Sequence, residues 1–502
     1  MQFNYKIPVL LFCSALGLGS CKKLIGIDAP PNTITTSNVF ATDAQANSAL
    51  AGIYSEMINN TGTQVFSNGG ATVYGGLSAD ELVNHAGTTN TTDYEFYTNT
   101  LLSSNTNVNG EFWEPAYKNI YSANAAITGM SASTSALLDD STKNELTGEA
   151  KFIRAFNYFY LTNFFGDVPL VLSTDFNQTA LMARTPQAQV YQQIVQDLKD
   201  AQNLLATDYS AGQGERIRPN KWAATALLAR VYLYQEQWDS AETQATAVIN
   251  NSQYALVSNL NNVFLKNSTE AIWQLEQNNT VTPYNSTFDE NNFVPEFSWW
   301  VYIPAPFQSI YLDSATFNSI APLFIPAYYM SNELASAFEP GDKRLVSWTD
   351  SLPTPSTAPY NGITCYYPFK YTTQLGSSGG AITQYYMVLR LAEQYLIRAE
   401  ARAEQGESNA AADLNMIRNR AGLANTTASS KTDLLAAIAH ERQVELFAEW
   451  GHRWLDLKRT GQAGAVLGAI ATKQPWTGNS LLYPIPLSEL TTDPNLVQNT
   501  GY

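Results

Sequence analysis

Glu441, Glu445 and Glu449 recur at intervals of four residues near the C-terminal end of the chain, interleaved with Arg442, Arg453 and Arg459. On a helix that spacing puts the carboxylates on one face. Two carboxylates flanking a sugar–sugar bond at a fixed separation are the machinery of glycoside hydrolysis. The same pattern also suits a buried ion-pair network, because an unpaired buried carboxylate is costly. With several arginines in the same stretch, the residues favour the network. Gly376-Ser377-Ser378-Gly379-Gly380 formally satisfies G-x-S-x-G, but no strand–turn–helix pattern surrounds it, so a loop is expected. No H-E-x-x-H or phosphate-cradling glycine loop occurs. His440 and His452 fall inside the Glu/Arg stretch, His85 sits in a polar tract, and Cys365 has no evident activating neighbour. The expectation is a protein without catalytic residues, metal or cofactor.

Aromatic side chains offer chemistry without bond making. A Trp or Tyr ring covers the apolar face of a sugar while neighbouring Asn, Gln and Asp bond its hydroxyls, with little rotamer entropy to lose. Trp299-Trp300-x-Tyr302 is the foremost candidate contact, followed by Tyr94, Tyr97, Trp348 and Tyr366. They fall in two tracts, at about 61–110 and 278–380. The first is rich in Asn, Thr and Gly. The second carries Pro283, Pro295, Pro304, Pro306, Pro322 and Pro326, which forbid long helices there. Long irregular insertions of this kind are usually functional. Composition agrees: charged residues are only 14% and aromatics 12%, a balance suited to neutral polar ligands. With 44 Asp and Glu against 28 Lys and Arg, the chain lacks the basic patches that nucleic acid requires.

The elements that must hold these tracts are helical. The scaffold is expected at about 41–60, 111–275 and 383–460. Within it, periodicity predicts helices over 44–57, 112–130, 144–165, 385–405 and 434–450. Asn220 is placed to cap a helix in which Trp222, Ala226, Ala229 and Leu233 share a face, and Trp238, Ala241, Ala245 and Val248 continue the pattern after a turn. Residues 229–249 resemble a tetratricopeptide repeat, in which small alanines let paired helices approach. The fold class expected is mainly α: a tetratricopeptide-like helix-pair scaffold carrying long loop-rich insertions.

Residues 1–20 read as an export signal, with Lys6 ahead of an apolar stretch shorter than a bilayer span. Leu18-Gly19-Ser20-Cys21 resembles the lipobox of bacterial lipoproteins, which makes Cys21 the expected lipidation site. Cys13 would leave with the leader, so Cys365 would have no disulfide partner.

Several motifs in order resemble the SusD/RagB lipoproteins over 21–502. They begin with Pro30-Pro31 and Gly52-Ile53-Tyr54. Ala150-Lys151-Phe152-Ile153-Arg154-Ala155-Phe156 then leads through Gly166-Asp167-Val168-Pro169-Leu170. Phe338-Glu339-Pro340-Gly341-Asp342 follows, then Leu389-Arg390-Leu391-Ala392-Glu393 and Arg398-Ala399-Glu400-Ala401. Gly451-His452-Arg453-Trp454, Asp456-Leu457-Lys458-Arg459 and Tyr483-Pro484-Ile485-Pro486 complete the set. The resemblance implies a lipid-anchored outer-membrane protein facing the cell exterior. Such a protein binds a glycan without catalysis and acts as a lid on a SusC-like TonB-dependent transporter. Within that family a peptide is the alternative ligand. Outside it, the residues leave open a structural repeat scaffold for surface proteins, or a glycoside hydrolase.

Overall fold

Alanine-rich faces set the architecture. In the computed structural model, which describes residues 39–295, 325–354, 356, 361–373 and 376–502, the long helices stack in chain order. They are α1 (Asp43–Ile58), α4 (Glu114–Ala132), α5 (Asp140–Phe165), α6 (Gln187–Leu204), α7 (Lys221–Tyr234), α8 (Trp238–Ile249), α10 (Leu391–Glu404), α11 (Ala410–Arg420) and α12 (Lys431–Glu445). Short helices α2 (Gly70–Ser78), α3 (Thr91–Thr98) and α9 (Phe288–Phe293) lie between them, and α13 (His452–Arg459) follows. Helix α5 packs on α4 and α6, α7 on α6 and α8, α8 on α10, and α10 on α11 and α12. Close approach is possible because Ala223, Ala226 and Ala229 of α7, Ala241 and Ala245 of α8, and Ala392 and Ala399 of α10 are fully buried. The expected cap is present: the Asn220 side chain accepts from the backbone N–H groups of Trp222 and Ala223, both at 3.0 Å. The mainly helical, tetratricopeptide-like class read from the sequence is the observed one.

Among the described residues, six short strands pair in three antiparallel couples: β1 (Leu82–Asn84) with β3 (Tyr328–Met330), β2 (Ala271–Leu275) with β6 (Tyr386–Arg390), and β4 (Thr349–Pro353) with β5 (Thr364–Pro368). Three expectations are corrected here. The helix expected over 385–405 is split. Residues 386–390 are strand β6, buried throughout and paired with an equally buried β2, and the helix starts at Leu391. The helix expected over 434–450 ends at Glu445, and Ala448, Trp450 and Gly451 then adopt positive φ. That turn brings Gly451 onto α2, where a Cβ on Gly75 would lie 2.6 Å from the Gly451 Cα. The tract 61–110 is not simply loop: α2 is buried along its whole length. Its sequence, GATVYGGLS, has weak helix propensity, and tertiary burial overrides it.

Candidate functional site

The Glu/Arg stretch closes into a buried lattice of ion pairs. Arg344 is ion-paired with Asp342 at 2.7 Å, Glu441 at 2.6 Å and Glu445 at 2.9 Å. Arg390 bonds Glu445 at 2.5 Å, Glu449 at 2.8 Å and Glu270 at 3.1 Å. Arg420 bridges Glu270 and Glu445, and the Lys370 ammonium sits 2.5 Å from Glu449. Burial by itself would raise Glu445, but Arg420, Arg390 and Arg344 outweigh it and hold the carboxyl well below the usual carboxylate range. A general acid needs the opposite shift. These carboxylates tie β6 and α12 to the segments around them and face no substrate space.

Trp348, expected as a ligand contact, belongs to this lattice and is corrected. It is 1% exposed, its indole N–H donates to the Leu260 carbonyl at 2.9 Å, and the charges of Lys370, Arg390 and Arg420 lie 4.9, 5.7 and 5.6 Å from its ring. A neutral face beside three desolvated cations stabilises them through the ring quadrupole.

The other chemical candidates are structural as well. Ser377 lies in a loop packed on residues 283–286, its N–H donating to the Asn285 side chain, and a Cβ on Gly376 would strike the Pro283 carbonyl at 1.9 Å. His440 bonds the Ala337 carbonyl, and burial pushes His452 down to about 4. Burial pushes the Cys365 thiol up to about 12. Among the described residues, no cluster of His, Cys, Asp and Glu is arranged to hold a metal ion.

Trp299, Trp300 and Tyr302 lie outside the described residues. The tract that carries them joins Pro295, just beyond α9, to Ile325, just before β3, and α9 packs on both α2 and β3. The remaining aromatic candidates sit on elements linked in turn to β3. Tyr94 and Tyr97 stand half-buried on α3, ring centres 6.2 Å apart at 51°. Helix α3 packs on β1, β1 pairs with β3, and β3 packs on β5, which carries half-buried Tyr366. Tyr329, opposite Val83 in the β1–β3 pair, is half-buried on the same ribbon, while its neighbour Tyr328 is buried. Sequence reading missed Tyr329. Its signal is the two-residue alternation of a strand, which cannot be told from a loop in a three-residue segment.

Polar groups behind α3 fix this platform. Asp93, buried immediately before Tyr94 in sequence, accepts from Tyr328 at 2.6 Å, Asn90 at 2.6 Å and Asn107 at 3.0 Å. The Lys473 ammonium donates to the carbonyls of Leu77 at 2.7 Å and Tyr97 at 2.8 Å and to the Asn99 side chain at 2.9 Å. With no carboxylate among those acceptors, burial lowers Lys473 to about 7. Glu111, on a π-helical turn at Val108–Trp113, accepts from Tyr74 and Gln64, and burial raises it to about 7. A separate groove of about 780 Å³ runs between the α7–α8 turn, α10, α12 and α13. Its wall includes Trp238, but its charged floor is internally paired, Arg459 with Glu400 and Asp456, and Arg442 with Asp456.

Comparison with known proteins places these features in a family. Residues 39–233 match a family described as "Starch-binding associating with outer membrane", and residues 279–502 match the "SusD family". "SusD-like protein P25" from Formosa agariphila is 26% identical over 96% of this chain and 97% of its own length. "SusD-like protein P2" from the same organism is 28% identical over 78% and 80%. Among solved structures, a "Laminarin binding SusD-like protein" superposes with a TM-score of 0.74 at 25% identity, covering 92% of this chain and all of its own. A SusD superfamily protein from Bacteroides vulgatus shares the fold at a TM-score of 0.73 and 22% identity, over 92% of this chain and 99% of its own.

Proposed function

This chain belongs to the SusD/RagB family, whose members are described as starch-binding and outer-membrane-associated, and from that premise we propose that it is a surface lipoprotein that captures an oligosaccharide or polysaccharide without altering it. The captured glycan passes to a TonB-dependent transporter in the outer membrane, over which the protein closes as a lid. The observation that carries this reading is a division of labour between residue types. The carboxylates of the Glu/Arg stretch are buried and paired, whereas the partly buried rings of Tyr94, Tyr97 and Tyr366 lie on the linked elements α3 and β5. Tyr94, Tyr97 and Tyr366 on that platform, with Trp299, Trp300 and Tyr302 on the tract anchored beside it, are the proposed contacts. The laminarin-binding relative supports a β-glucan as the first ligand to test. Release inward favours binding in the range of about 4 to 8 kcal/mol, millimolar to micromolar.

Cys21 is the proposed lipid attachment point, and among the described residues no helix is long and apolar enough to cross a membrane. Several acyl chains at about 0.8 kcal/mol per buried methylene would hold the protein there. Affinity electrophoresis against a panel of polysaccharides that includes laminarin tests ligand and site together. Retention by at least one glycan is expected, weakened by Trp299→Ala, Trp300→Ala and Tyr97→Ala. Equal retention of all three variants would reject this placement of the site. Release of reducing sugar by the purified protein, abolished by Glu445→Gln, would reject binding without chemistry.

A further inference from the structure

A single run of hydrogen bonds passes behind α3 and joins α9 to β3. Asn292 on α9 donates to the Gln64 side-chain oxygen at 2.6 Å, and the Gln64 amide donates to Glu111 Oε2 at 3.1 Å. The Tyr74 hydroxyl, from α2, donates to Glu111 Oε1 at 2.9 Å. Asn107 Nδ2 bridges onward, donating to the Tyr74 oxygen and to Asp93 Oδ1, both at 3.0 Å. Asp93 Oδ2 accepts from Asn90 and from Tyr328 of β3, both at 2.6 Å. Asp93 immediately precedes Tyr94, and Tyr328 immediately precedes Tyr329. All four carboxylate oxygens serve as acceptors, which is the arrangement of two ionised groups.

Neutral donors hold both charges. Burial raises Glu111 to about 7, against the bonds from Tyr74 and Gln64, and the like charge of Asp93 adds to the rise. Burial also raises Asp93, against bonds from Tyr328, Tyr74, Asn90 and Asn107. The other ionisable groups on the adjoining elements are engaged elsewhere. Glu95 of α3 accepts from the Leu102 N–H at 3.1 Å and from Asn105 at 2.8 Å. Asp289 and Glu290 of α9 line a small cleft with Lys370, Glu114 of α4 is exposed, and Lys473 bonds the Leu77 and Tyr97 carbonyls. Glu111 itself is half-buried, so protons reach it. A proton on Glu111 Oε1 turns an acceptor into a donor towards Tyr74. The Tyr74 hydrogen then needs another acceptor, which Asn107 supplies only by turning its amide. That sets the amide oxygen against Asp93, and two facing acceptors repel unless Asp93 also takes a proton. The two carboxyls are thereby coupled through Tyr74 and Asn107.

We propose that Glu111 and Asp93 are positioning residues for the tyrosines of α3, and that their ionised form holds the geometry that captures glycan. Gain of protons by the pair weakens capture, so retention is stronger at neutral and alkaline pH than in mild acid. This rests on the glycan-binding reading above. The test is affinity electrophoresis of the full-length protein against laminarin and each of the other panel polysaccharides, repeated in steps from about pH 5.5 to about pH 8.5. Wild type should be retained at least about threefold more strongly at the alkaline end, the size that one hydrogen bond implies. The midpoint should fall near the value of about 7 that burial gives Glu111. Glu111→Gln cannot ionise and should be weakly retained at every pH, with a flat profile.

Stability separates this from misfolding. The fold keeps the Glu111 proton up to about 7, against an ordinary value of 4.5. The stability tied to it is therefore full below that ordinary value and lost as pH rises through the higher one. Glu111→Gln should accordingly melt no lower than wild type at the alkaline end, exactly where its retention is weakest. Tyr74→Phe removes a donor that favours the ionised form and should move the midpoint to higher pH. Wild-type retention indifferent to pH overturns the proposal. So does a Glu111→Gln profile that still follows pH, which would assign the dependence to Lys473 or His85, and so does an unmoved midpoint in Tyr74→Phe. If no polysaccharide retains wild type at any pH, the glycan-binding reading fails and the positioning role with it, a result distinct from retention that ignores pH.

Discussion

The C-terminal helical frame and the α3–β1–β3–β5 platform use polar chemistry in opposite ways. In the frame, full charges are buried and answered by full charges: Arg344, Arg390, Arg420 and Lys370 meet Glu270, Glu441, Glu445 and Glu449 within hydrogen-bonding distance. On the platform, amides and hydroxyls brace a buried carboxylate, and rings are left only partly buried. A buried ion lattice demands one geometry and tolerates little movement, since each charge loses its hydration and keeps only its partner. A ring with one free face can accept ligands of varied shape. The difference teaches that charge in this protein specifies architecture, while uncharged polar and aromatic groups are left for contact.

The strongest way to break that comparison is to remove one cation from the lattice. Arg390→Met leaves Glu445, Glu449 and Glu270 short of a partner and should cost about 3–5 kcal/mol or more, read by urea unfolding. A loss below ~1 kcal/mol would mean the lattice is decorative. Trp348→Ala should cost about 3–5 kcal/mol through cavity formation while leaving glycan retention intact at temperatures where the variant is folded. Selective loss of retention would return Trp348 to the contact surface.

Glu81 sharpens the boundary between the two regions. Burial, only partly offset by its bond from the Ala448 N–H at 3.1 Å, pushes it up to about 8. Between its ordinary range near 4.5 and pH 8, the native state keeps a proton that the unfolded chain releases. The stability this confers is present below that window and is lost as pH rises through it. Glu81→Gln should therefore match wild type near pH 4 and exceed it by pH 9, by on the order of 3–5 kcal/mol. Parallel pH profiles would show Glu81 ionised in the fold. The smallest effect is expected on the platform itself. Tyr94→Ala and Tyr97→Ala should each weaken glycan binding about three- to tenfold, as loss of a contact worth ~0.5–1.5 kcal/mol implies. Unfolding midpoints should move little for Tyr94→Ala.

Local pattern made the frame legible. The Asn220 cap, the alanine stripe of α7 and the Trp238–Val248 periodicity each depend on residues within a few turns of one another, and each is found as read. The charged stretch was legible as a network because arginines and glutamates alternate there, although its partners Asp342, Lys370 and Glu270 come from elsewhere in the chain. Candidate contacts were harder to read. An aromatic residue has the same composition signature whether it is packed or exposed, which is why Trp348 reads like Tyr97 in sequence and sits 1% exposed in the fold.

The amino-acid order alone determined the helical class and the family motifs, because those follow from periodicity and backbone chemistry over short range. Only the tertiary structure decided that residues 386–390 are a strand, that the helix ends at Glu445, that the weak helix 70–78 is buried, and which tyrosines are only partly buried. Each of those outcomes is set by what packs against the segment from far along the chain: β2 against β6, Gly75 against Gly451, Lys473 beneath Tyr97. Burial against distant partners outweighs local preference by several kcal/mol, and no window of neighbouring residues contains that information.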